Sequence, residues 1–121
     1  MNELVAQLAA KAGVGIIVAE KSAGAILGFL RDEDRSGKVQ PLIDGIAGAT
    51  EAIETSNNRS GIDRLMGGGL MALGTKLTGL GLDIGEIQKI ARELFKYGRD
   101  KIGADRMDVI IAGAPGLRHF A

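Results

Sequence analysis

The chain has 121 residues, no cysteine, and fifteen basic residues balanced by fifteen acidic ones. That length suits one domain and can bury a core without disulfide or metal staples. The missing cysteine excludes disulfide frameworks, thiolate zinc sites and cysteine nucleophiles. A balanced charge argues against a dedicated nucleic-acid or membrane-surface protein, which carries a basic excess.

Phe29, Phe95, Tyr97 and Phe120 are the complete aromatic set. The core must therefore be aliphatic, and a stacking platform for single-stranded nucleic acid, which needs several rings in one groove, is excluded. Nineteen glycines are about twice the ordinary share. The N-terminus carries Glu3 where a secretory leader carries a basic cluster, and Lys11 interrupts the apolar run. The expectation is a mature cytoplasmic protein that starts at Met1.

In chain order, Asn2 is placed to cap a helix carrying Leu4, Val5, Leu8 and Ala12 and ending at Gly13. A second helix begins near Ile16, presents Ala19, Ala23, Ile26, Leu27 and Leu30, and ends in the charged run Arg31 to Arg35. Ser36 is expected to cap a short third helix through Val39, Leu42 and Ile46, with Pro41 tolerated near its first turn. Thr50 is expected to cap a fourth through Ala52 and Ile53, and the polar stretch Ser56 to Gly61 is expected to be a loop. Ile62 to Leu80 reads as a glycine-rich apolar helix.

The clearest element is Asp83 to Ile102. Asp83 and Glu86 have capping-box spacing, and Ile87, Ile90, Ala91, Leu94, Phe95 and Ile102 form one apolar stripe. Gly103 is placed to stop the helix as a left-handed residue. Asp105 to Gly113 makes a last short helix, and Leu117 and Phe120 offer an apolar tail for docking. No segment alternates as a strand does. The expected fold is therefore all-α: a single domain over residues 1–121, a compact bundle of six or seven helices, several of them short, with a glycine-rich central helix.

Leu65 to Gly74 is the unusual stretch, because glycine costs about 1 kcal/mol in a helix relative to alanine and Gly67, Gly68 and Gly69 are consecutive. It reads as a helix whose glycines let neighbours approach, as a hinge, or as a self-association face of small residues. On the last reading the surface comprises Gly67, Gly68, Gly69, Ala72 and Gly74. A membrane span is not expected, since Lys76 interrupts Leu65 to Leu82 and a span needs about 20 mainly apolar residues. A phosphate loop fails on order: Gly69 and Gly74 have its spacing, but Thr75-Lys76 reverses the required lysine and hydroxyl. Gly79-Leu80-Gly81 fails as a dinucleotide fingerprint, because Gly85 comes one residue late.

Asp32, Asp34, Ser36, Gly37 and Val39 match the front of a calcium loop, but the twelfth position, which needs a bidentate glutamate, is Ile43. The stretch is expected to be a solvated helix end. Lys89, Arg92, Lys96 and Arg99 form a basic stripe that suits an anionic partner. Glu86, Glu93 and Asp100 share that face, and Lys89–Glu93 and Lys96–Asp100 have the spacing of i,i+4 ion pairs. His119 is the only histidine and has no second ligand or nucleophile near it in sequence. No catalytic, cofactor or metal-binding residue emerges.

Three stretches point further: Ile110 to Phe120, Ala19 to Leu30, and the glycine-rich middle. Together they resemble small all-helical bacterial proteins grouped as domains of unknown function, including the YidB-like group. The resemblance implies an all-helical fold and a bacterial origin, and carries over no catalytic or binding residue. The leading functional expectation is a non-enzymatic domain acting through protein contacts, foremost self-association. The alternatives are a nucleic-acid-binding helical module using the basic stripe, and a small-ligand or lipid-binding helical protein.

Overall fold

The computed structural model describes residues 2–33, 37–46, 48–57 and 69–113. Among them are seven helices and no strand: α1 (Asn2–Ala12), α2 (Ile16–Glu33), α3 (Gln40–Gly45), α4 (Ala49–Asn57), α5 (Gly69–Gly79), α6 (Ile84–Ile102) and α7 (Ala104–Ala112). The all-α bundle expected from periodicity is the observed architecture.

The helices gather around α2, which touches α1, α4, α5 and α6. Its most extensive neighbour is α4. The reason lies in its middle, where every residue from Ser22 to Gly28 is buried. Burial all round a helix marks an element with neighbours on every side. Most of this stretch is small (Ser22, Ala23, Gly24, Ala25 and Gly28), and small side chains let helix axes come close. Periodicity identified only Ala19, Ala23, Ile26, Leu27 and Leu30 here, because serine and glycine contribute little hydropathy. Ser22, the one buried polar side chain among the described residues, donates its hydroxyl to the Val18 carbonyl at 2.7 Å. Its polar group is thereby satisfied within its own helix.

Helix α6 is the second organiser. It packs on α1, α2, α3 and α7. Its start is the reciprocal cap that the spacing predicts: the Glu86 amide donates to Asp83 Oδ1 at 2.7 Å, and the Asp83 amide donates to Glu86 Oε1 at 3.0 Å. Ile87, Ile90, Ala91, Leu94 and Phe95 are buried, and Ile102 is half-buried.

Three boundaries differ from the sequence expectation. Helix α3 starts from Val39, which has helical torsions and no side-chain cap; Ser36 lies outside the described residues. Val39 is 2% exposed, so burial places it. Helix α4 starts at Ala49, which puts Thr50 inside the helix, and Ala49 is 1% exposed. At α4, core contact outweighs the capping preference of Thr50. Ser56 and Asn57 belong to α4 rather than to a loop. Asn58 to Gly68, the first part of the expected Ile62–Leu80 helix included, lie outside the described residues, as do Leu117 and Phe120.

The α6–α7 corner turns on one residue. Gly103 has φ +93° and ψ 151°, so it is not the left-handed stop expected but a more extended conformation that only glycine adopts readily. It closes α6 through its amide to the Arg99 carbonyl at 2.9 Å, and its own carbonyl accepts the Met107 amide at 3.1 Å to open α7. One turn of α6 before it, Gly98 is buried beneath α7. A Cβ at Gly98 would lie 2.6 Å from Met107 Sδ and 3.1 Å from Leu42 Cδ1. Met107 and Leu42 are themselves fully buried. Any side chain at Gly98 thus forces Met107 and Leu42 to shift where α3, α6 and α7 converge.

Overpacking should test both buried positions. Ala23→Leu in α2 and Gly98→Leu in α6 are each expected to cost about 1–3 kcal/mol in urea unfolding. Wild-type midpoints in both variants would refute this account of the packing.

Candidate functional site

Of the glycine-rich surface, Gly67 and Gly68 lie outside the described residues. Gly69 is the first residue of α5, and Ala72 follows in its first turn. The helix sets Leu73 and Leu77, four residues apart, into the core, and its main neighbour is α2. Thr75, Thr78 and Gly79 are exposed and Gly74 is half-buried. A Cβ built at Gly74 meets no atom within 4 Å. The close helix approach suggested for this segment is therefore absent at Gly74 and is found at Gly98 instead. The Thr78 hydroxyl is within 3.0 Å of the Gly74 and Thr75 carbonyls and donates back into its own helix. Gly74, Thr75 and Lys76 are all helical, so their backbone amides are not turned outward as a phosphate-cradling loop requires.

The basic stripe is a real face of α6. Lys89, Arg92 and Lys96 are exposed and Arg99 is partly so. Among the described residues its ion pair crosses the corner: Arg99 meets Asp108 of α7 at 3.5 Å. The pairs that spacing suggested along the helix, Lys89 with Glu93 and Lys96 with Asp100, are not formed. Glu86 is turned back into the cap at Asp83, which removes one acid from the stripe. On the flank of the helix, Lys101 Nζ sits 5.2 Å from the centroid of the Tyr97 ring, within cation–π range.

The calcium-like stretch does not form a loop from its first position. Asp32 and Glu33 are the last residues of α2, and Ile43, the twelfth position, is 3% exposed in α3. Asp34 to Ser36 lie outside the described residues, as does His119. Among the described residues, no three histidine, aspartate or glutamate side chains come together as metal ligands would.

Among the described residues no single helix is long and apolar enough to cross a membrane. Glu3–Ala12 and Ile16–Arg31 reach that length and composition only together, and the chain bends by 108° between them. Their apolar residues are largely in the core.

The feature that periodicity missed is the set of large aliphatics left outside. Ile16 is 63% exposed, Ile17 68%, Ile84 70% and Val109 44%. Ile84 lies three residues before Ile87 and seven before Ala91, on the face of the buried stripe of α6, so periodicity places it inward and gives no sign of its exposure. Ile16 and Ile17 begin a helix that is apolar on several sides, so nothing local marks them as outward.

Two substitutions check these assignments. Gly74→Ala is expected to stabilise the fold by up to about 1 kcal/mol, since it adds helix propensity in open space; a lowered urea midpoint would mean that Gly74 is closely covered. Asp83→Ala should cost about 1 kcal/mol through loss of the cap, read in the same assay. The chain matches no family model, no curated protein and no solved structure.

Proposed function

We propose that this chain is a non-enzymatic, cytoplasmic bacterial module of the YidB-like kind, which acts through protein–protein contacts and foremost by associating with itself. The observation that carries the reading is the exposure of Ile16 and Ile17 side by side in the first turn of α2. Full burial of an isoleucine side chain is worth about 1.5–3 kcal/mol, and a second copy covering this pair recovers part of that. Helix α5 adds the half-buried Gly74 and the exposed Thr75, Thr78 and Gly79 beyond its contact with α2.

Size-exclusion chromatography with light scattering tests the reading. The expected mass rises above that of one chain with concentration, and Ile16→Lys/Ile17→Lys restores the single chain without altering its circular dichroism. A wild-type protein that stays strictly monomeric at high concentration would sink the proposal.

A second reading is favoured by the three exposed cations Lys89, Arg92 and Lys96 on one face of α6, with Arg99 beside them. They suit a polyanion such as nucleic acid. Binding should then weaken steeply with salt and disappear in Lys89→Glu/Lys96→Glu. Absence of binding at low salt removes this alternative.

A further inference from the structure

We infer that α7 is an exchangeable element, able to leave its own α6 and dock in the same place on a second copy of the chain. This inference goes beyond the surface association above and does not use Ile16 or Ile17.

Three observations support it. First, α6 ends at Ile102 and α7 begins at Ala104, so the whole connection is Gly103. Its φ of +93° and ψ of 151° are the only non-helical torsions at the corner. Rotation of that one residue into helical torsions joins α6 and α7 into a single rod. Glycine permits both states, while its presence inside a helix disfavours the rod.

Second, α7 is held mainly by α6. Met107, Ile110 and Ile111 are its buried side chains. Met107 fills the space left open above Gly98, and the Arg99–Asp108 pair closes the outside of the corner, with side chains 37% and 62% exposed. Among the described elements, none besides α6 meets α7 extensively.

Third, the apolar phase resets at Gly103. At about 100° per residue, a straightened α6 would carry Met107, Ile110 and Ile111 roughly to the side opposite Ile87, Ala91, Leu94 and Gly98. Those three residues then face away from their own core. The surface shaped for them is the Gly98 notch beside Leu42, which a second straightened copy leaves equally vacant. Reciprocal exchange reforms every contact of the corner and removes only the turn, which is the ordinary economy of swapped dimers.

The test uses full-length chains carrying Ile16→Lys/Ile17→Lys, so that surface association does not contribute. The protein has no cysteine of its own, so introduced thiols report alone. One chain carries Arg99→Cys and another Asp108→Cys; they are mixed at high concentration and treated with a short bis-maleimide. The expected product is a mixed cross-linked dimer, formed in excess over that from two Asp108→Cys chains. Adding Gly103→Ala, which favours the rod, should raise its yield roughly tenfold. A chain carrying both thiols, cross-linked within itself beforehand, should remain monomeric. No mixed product above the control, or a dimer from the pre-locked chain, overturns the exchange. Either result leaves the surface association of the wild-type protein standing or falling on its own measurement.

Discussion

The packing around the middle of α2 is the constraint on which the rest depends. From Ser22 to Gly28 this helix has no solvent side, so each of its neighbours must lie against a surface built largely from serine, alanine and glycine. Such a surface offers little area per residue but permits close axes. Leucine and isoleucine side chains from α1, α2, α3, α4 and α6 fill the space around it, which is how a chain with four aromatic residues closes a core. The Ser22 hydroxyl would be a liability in that setting were it not bonded to the Val18 carbonyl.

A similar economy operates at the corner of α6 and α7. Gly98 makes room for Met107, and Gly103 makes the turn. The two glycines serve different purposes. One is needed for space and the other for backbone torsion, and together they let a nine-residue helix fold back onto a longer one with no loop between them. The same arrangement makes α7 separable, because its attachment is short in sequence and narrow in contact.

The surfaces proposed for contact lie away from these buried glycines. Ile16 and Ile17 stand at the entry to α2, and Lys89, Arg92 and Lys96 along the outer side of α6. Neither arrangement brings together a nucleophile, a base and an orienting group. What they offer is apolar cover and charge, which are the materials of macromolecular contact.

Much of the fold was legible in local chemistry. The cap at Asp83 and Glu86, the apolar stripe of α6 and the stop at Gly13 need only near neighbours to act, so the sequence alone determined the existence and span of α1, α2 and α6. Exposure of the α6 cations followed from the same periodicity. The tertiary structure decided where α3 and α4 begin, because burial places Val39 and Ala49 at their starts and draws Thr50 inside the helix. It also decided which glycine is closely approached, Gly98 rather than Gly74, and which isoleucines stay outside. Those outcomes depend on which helix lies opposite, and a residue's own neighbours in sequence carry no record of that.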